Sequence, residues 1–168
     1  FPRASSACLS GAEIQHQLSS RFDLLSSVKN KILNNFLNKE YLPIAQKMLH
    51  RAINLWPNLD FNSILIREHQ TLSPSDFGFH NALRIKTGKL VFLDFEYFGW
   101  DDPVKLICDF DLHPGMELSL EMRKYWYQET LNLYGYSLDS RLNASWPLYG
   151  LCWVLILLNE FRSDVWKR

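Results

Sequence analysis

Asp76 and Asn81 stand five positions apart in the stretch Ser75-Asp76-Phe77-Gly78-Phe79-His80-Asn81. Asp94 follows Asp76 by eighteen positions, at the end of the apolar run Val91-Phe92-Leu93. Two carboxylates and an amide oxygen at such spacing suit phosphoryl transfer. That reaction asks little covalent chemistry of a protein and relies on positioning and on cations that neutralise the phosphates. A carboxylate must lie close to the attacking hydroxyl, and hard oxygen ligands must hold magnesium. Asp76 is the candidate for the first task, orienting a substrate hydroxyl and accepting its proton. Asn81 offers a neutral carbonyl oxygen to magnesium from the far end of the same loop. Asp94 is placed to bridge the metal to a nucleotide. Asp and Asn are also ordinary turn residues, so the pair alone says little, and the three-point spacing carries the reading.

The elements around these residues explain how they could meet. Residues 82–86 and 90–95 are apolar-rich runs joined by Thr87-Gly88-Lys89, a hairpin signal in which Gly88 is free to take positive φ. A hairpin doubles the chain back and brings Asp94 toward Asp76. Upstream, Ser10-Gly11-Ala12-Glu13 has the capping-box pattern, and Ile14, Leu18, Phe22 and Leu25 recur at helical spacing, predicting a helix over 11–28. Residues 30–38 are ambiguous. Pro43 suits the first turn of a second helix, with Ala45, Met48, Leu49, Ala52, Leu55 and Trp56 as its apolar stripe and Pro57 as its stop. Downstream, 103–111 reads as a short helix started by Asp101 or Asp102, and 117–134 as a helix stopped by Gly135. A last helix begins near Asp139 or Ser145 and runs to about Phe161. Its stretch Cys152–Leu158, apolar on every face, is expected to be buried all round. The fold class is mainly α with a short β-hairpin.

The Asp-x-x-x-x-Asn loop, the later Asp94-Phe95-Glu96-Tyr97 and the tail Gly99-Trp100-Asp101-Asp102-Pro103 resemble the aminoglycoside phosphotransferase/choline kinase family of small-molecule kinases. Cys152-Trp153 and Leu157-Leu158-Asn159-Glu160-Phe161 are similar to its closing helix. The resemblance runs from about residue 7 to 161 and is strongest at 73–103. It implies the helical C-terminal lobe of a protein-kinase-like fold, an ATP-dependent transfer to a small-molecule hydroxyl or amine, and bound magnesium and ATP or another nucleotide. It also allows Glu96 a metal contact beside Asn81 and Asp94, with a solvent-exposed strand-end Glu as the equal alternative. It would put 64–70 in a strand or extended segment feeding the loop. The chain departs from the family at Pro74, where a bracing His is usual, and at Leu106, where an Asp is usual; Asp102 or Asp109 could take over the task of holding the loop. With these departures, a non-catalytic kinase-like module stays open beside the kinase, as does an unrelated helical binding protein. His80 approaches a phosphate or packs the loop. His16, His50, His69 and His113 are scattered and receive no role. Arg67 and Arg84 touch phosphate or lie on the surface.

Such a kinase also needs a β-rich lobe carrying a glycine-rich loop and a Lys–Glu pair. Nothing before residue 41 alternates like a strand, and Gly11 is the only glycine before Gly78. The chain therefore reads as a single domain, 1–168, with the N-terminal nucleotide lobe absent. It begins at Phe1 and ends at Lys167-Arg168, as a segment of a longer chain would, and it should be poorly active alone. An exposed apolar surface is expected beside the loop.

Composition narrows the partners. The 168 residues are 47% hydrophobic and 21% charged, a globular balance. Eighteen basic residues offset eighteen acidic ones, leaving no electrostatic footprint for nucleic acid and no polybasic membrane patch. Cys8, Cys108 and Cys152 are too scattered for a disulfide framework or a zinc knuckle, which fits a reducing cytoplasm. The apolar stretch Leu151–Leu158 is too short to span a bilayer.

Overall fold

The structure, a computed structural model, describes residues 1–135 and 137–164. It is mostly helical with two small antiparallel sheets, and the chain divides into two compact units.

Unit 1 comprises Phe1–Leu9 and Ile64–Leu142. The expected hairpin is there: β2 (Ala82–Arg84) pairs with β3 (Leu90–Phe92), Ala82 opposite Phe92. Gly88 turns it at φ 85°, with the Ile85 amide donating to the Lys89 carbonyl. A second pair was not anticipated. Residues 67–69 form a 3₁₀ turn within the strand or extended segment expected over 64–70, and the strand itself lies later, as β1 (Thr71–Ser73), antiparallel to β4 (Gly99–Asp101). The N-terminal segment runs along β4: the Ala4 amide donates to the Trp100 carbonyl and the Trp100 amide to that of Pro2. Gly99 is required there, because a Cβ would lie 2.5 Å from the Ala4 nitrogen and 2.6 Å from the Pro2 oxygen.

Helix α4 (Pro103–Leu112) starts at Asp102, whose side chain accepts from the Val104 amide while Pro103 fills the first turn. Arg141 grips the same carboxylate with two nitrogens, at 2.8 and 2.9 Å. The pair is largely buried, and breaking one side of such a pair costs about 3–5 kcal/mol. Asp101, also buried, accepts from the Cys8 and Asp102 amides. Lys105 pairs with Asp109 at 2.5 Å. Burial would lower the Lys105 pKa, but the Asp109 and Asp101 carboxylates outweigh it and raise it. Helix α5 (Leu120–Tyr134) begins three residues later than the periodicity suggests, because 114–116 form a 3₁₀ turn and Glu117 takes φ 47°. Gly135, at φ 93°, ends it as expected.

Unit 2 comprises Ser10–Ser63 and Asn143–Arg168. Helix α1 (Gly11–Ser26) is capped by Ser10, whose hydroxyl accepts from the Glu13 amide. The ambiguous 30–38 region is helix α2 (Lys31–Phe36), capped by Asn30, followed by a π-helical turn Leu37–Tyr41. Helix α3 (Leu42–Leu55) follows. Its predicted stripe is buried at Ala52 and at the flanking Trp56, whereas Leu55 is exposed. Tyr41 stacks on Phe22 at 5.9 Å beside a cavity of about 230 Å³ lined by α1 and the start of α3.

Helix α6 (Leu138–Leu157) begins in unit 1 and continues into unit 2, ending in a 3₁₀ turn to Phe161. Cys152 and Leu155 are buried but Leu157 is 54% exposed, which corrects the expectation of all-round burial. The span Leu138–Phe161 is long and apolar enough to cross a membrane by length and composition, a test that core helices also pass. It exceeds the apolar stretch considered in the sequence because polar residues at both ends join the same helix.

Candidate functional site

The loop 74–81 is built on an aromatic base. Phe77 points into it, its ring 4.7 Å from Phe92, 5.5 Å from Phe110 and 6.5 Å from Trp126. Phe110, Met116 and Leu118 form the buried cluster against which Phe77 packs. The Phe79 amide donates to the Met116 sulfur at 3.2 Å. Packing Phe77 inward leaves its neighbour Asp76 at the surface, the Asp76 side chain keeping 44% of its area in solvent. That exposure leaves room for a second molecule to approach it.

Asp76 and Asn81 are in direct contact. The Asn81 amide nitrogen donates to the Asp76 carbonyl at 3.0 Å and to its carboxylate Oδ2 at 3.1 Å. Spending the nitrogen this way leaves the amide oxygen of Asn81 for a cation. The hairpin ties the backbone just before the third residue to the loop: the Leu93 amide donates to the Asn81 carbonyl at 2.8 Å, and Asp94 is next in the chain. Asp94 and Glu96 are both exposed. The Tyr97 pKa is raised, first by hydrogen bonding to Glu96 and the Glu96 charge, then by burial and the Asp94 and Asp76 charges.

Ser75 and Asp94 both occupy the left-handed region, at φ 66° and 61°. Non-glycine residues there store backbone strain, and such residues cluster at functional sites. Ser75 is held by its hydroxyl donating to the Tyr97 carbonyl and its amide donating to the Ser73 hydroxyl.

The other oxygen of Asp76 meets His80, with Nε2 2.9 Å from Oδ1. His80 stacks on His113, ring centroids 4.1 Å apart and planes within 5°. The His113 pKa is lowered, first by burial and then by the His80 ring, against the pull of Asp76 and Asp109. His113 was missed in the sequence, because thirty-two residues separate it from Asn81 and no local pattern marks it.

Several expected partners lie elsewhere. Asp102 and Asp109 do not hold the loop: Asp102 is committed to Arg141 and the Val104 amide, and Asp109 to Lys105. Leu106 between them is a core residue. Arg67 lies 3.3 Å over the Trp100 ring, and Arg84 is exposed on β2. Apolar side chains around the loop and hairpin are open to solvent, among them Phe79, Leu83, Leu90, Leu93 and Phe95.

Asp76, His80 and His113 present ligand atoms within 4.8 Å of one another. The stacked geometry opposes their chelating one ion. An ion bound by imidazole lies in the ring plane, and two parallel planes about 4 Å apart share no point. Magnesium prefers hard oxygens, the ligand type that Asn81, Asp94 and Glu96 carry.

Comparison with family models, with curated proteins and with solved structures finds no match for the chain.

Proposed function

We propose that this chain is the catalytic and substrate lobe of an ATP-dependent phosphotransferase acting on hydroxyl groups of small molecules, of the aminoglycoside phosphotransferase/choline kinase type. The observation that supports it best is the bonded pair Asp76–Asn81 with Asp94 one residue beyond the Leu93–Asn81 hydrogen bond. In this reading Asp76 orients the substrate hydroxyl and takes its proton, as a positioned base does. Asn81 and Asp94, with Glu96 as a further contact, hold magnesium. When bound, magnesium and the nucleotide supply the charge neutralisation and the phosphoryl group. Phe77 and the aromatic cluster fix the loop so that Asp76 meets the hydroxyl without rearrangement.

The partners are a small hydroxyl or amino compound and a nucleotide-binding lobe. The balanced charge gives no support for nucleic acid or membrane. Three buried free cysteines fit a cytoplasmic setting. Turnover by these residues alone is expected to be low, since the sequence carries no glycine-rich phosphate loop.

A non-catalytic kinase-like module is the second reading. It is favoured by the hydrogen bonds already present on both oxygens of Asp76. Calorimetric titration with ATP and GTP, with and without magnesium, separates the two. The kinase reading expects weak binding that needs magnesium and vanishes in Asp94→Ala. Binding indifferent to both magnesium and Asp94 overturns it. Absence of any magnesium-nucleotide binding leaves the non-catalytic module.

A further inference from the structure

We propose that His80 is a positioning residue that fixes the Asp76 carboxylate, and that His113 holds His80 in place by stacking. The proposal rests on the reading of Asp76 as the base, but its geometry stands separately.

The carboxylate of Asp76 is held from two sides. Asn81 takes Oδ2 and His80 takes Oδ1, so rotation about the last side-chain bond would break both contacts. Each carboxylate oxygen has two acceptor sites, so one on each remains for a hydroxyl. An ionised carboxylate only accepts, and this places the His80 proton on Nε2. The opposite side of that ring lies against Gly78. A Cβ at Gly78 would stand 2.5 Å from Cε1 and 2.6 Å from Nδ1, so the absence of a side chain there is what lets the ring turn toward Asp76.

His113 is itself anchored by backbone. It is the C-cap of α4, its amide donating to the Asp109 carbonyl at 3.1 Å. Its Nδ1 accepts from the Gly115 amide at 3.0 Å, which puts its proton on Nε2 as well. The 3₁₀ turn 114–116 that supplies Gly115 also buries Met116, the residue whose sulfur accepts from the Phe79 amide. The end of α4 therefore supports both faces of the loop: Met116 holds its backbone and His113 holds its imidazole. Asp76 is connected through the ring of His80, four residues on, and that of His113, far along the chain, to a helix end.

Nitrogen-15 NMR of histidine side chains in the whole chain, at a pH where the imidazoles are neutral, tests this directly. His80 and His113 are both expected as the Nε2–H tautomer. In Asp76→Ala, His80 should become a tautomer mixture while His113 keeps Nε2–H, because the Gly115 amide still locks it; the unchanged His113 also reports that the fold survives. In His113→Ala the His80 signal should likewise move toward a mixture. A wild-type His80 in mixed or Nδ1–H form overturns the proposal, as does a His80 signal unmoved by Asp76→Ala. Where the chain turns over ATP, His80→Ala should lower kcat by about 10- to 100-fold with KM for the nucleotide unchanged. His80→Gln, which keeps a donor, should recover most of that loss, and equal loss in both variants argues against positioning. A locked His80 with no magnesium-nucleotide binding would leave the bracket standing and remove the kinase function. Nucleotide binding with an unlocked His80 would do the reverse.

Discussion

Arg51 donates to the main-chain carbonyl of Asn143 at 3.0 Å and to its side-chain oxygen at 2.9 Å. That carbonyl lies four residues before Pro147, inside helix α6. Proline has no N–H, so the helix cannot supply the donor that Asn143 would normally receive. An arginine from α3 supplies it instead. The proline is tolerated where its missing bond is replaced from another helix of the same unit.

This makes Arg51 and Pro147 energetically coupled. Arg51→Ala should cost about 1 kcal/mol, the net worth of exposed hydrogen bonds of this kind. In a Pro147→Ala background the restored helical N–H can serve the Asn143 carbonyl, so the same change should cost less than half as much. A double-mutant cycle by urea unfolding measures the difference. Equal costs in the two backgrounds would show that Arg51 does not act through that carbonyl.

Asp101 should make stability depend on pH. Burial pushes its carboxyl up to about 6, against the pull of Lys105 and the Asp102 and Cys8 amides. The ordinary value is 3.8, so between the two the folded state holds the proton more tightly than the unfolded state. The contribution is therefore complete below the ordinary value and is lost as pH rises through about 6. Two pH units correspond to about 3 kcal/mol. Asp101→Asn keeps an oxygen for the Cys8 and Asp102 amides but cannot titrate. Urea midpoints from pH 4 to 7 should fall more steeply for the wild-type chain than for the variant. Parallel profiles would remove Asp101 as the source.

The two carboxylates of the proposed site should separate by role. Asp76→Asn keeps size and much of the hydrogen bonding, so in an active preparation turnover should drop by about 10²–10⁴-fold with nucleotide affinity little changed. Asp94→Asn removes a charge from the proposed metal cradle and should weaken magnesium-nucleotide binding as well. Asparagine tolerates positive φ, so Asp94→Asn should unfold at the same temperature or higher. Near-normal transfer in both variants would end the kinase reading.

Local signals were legible in the sequence, and distant ones were not. Ser10, Asp102, Gly88 and Gly135 announce their caps and turns because each acts within a few residues of itself. The Asp76–Asn81 pair was visible for the same reason. The pairing of β1 with β4, the His113 stack and the Arg51–Asn143 bond each join residues about thirty to ninety positions apart, where no periodicity extends. The strand or extended segment that the family resemblance implies over 64–70 is displaced, because Ile64-Leu65-Ile66 is too short to decide by itself and the pairing partner at 99–101 selects 71–73. The missed His113 shows the same limit at the site: its role comes from where α4 ends in space.

The short segment Phe1–Leu9 belongs to unit 1, yet its partners in β4 come some ninety residues later, as with the Cys8 amide on Asp101. During synthesis this segment leaves the ribosome long before Trp100 and Asp101 exist. It must wait, unpaired, while the helices of residues 11–55 emerge. Unit 2 faces the mirror problem, because Arg51 precedes Asn143 by ninety-two residues. Neither unit can close on the nascent chain until most of the other has been made. Such non-local closure slows folding and lengthens the time that apolar segments are open to misassociation. The interleaved connectivity thus makes this chain one whose folding has to be completed late and nearly all at once.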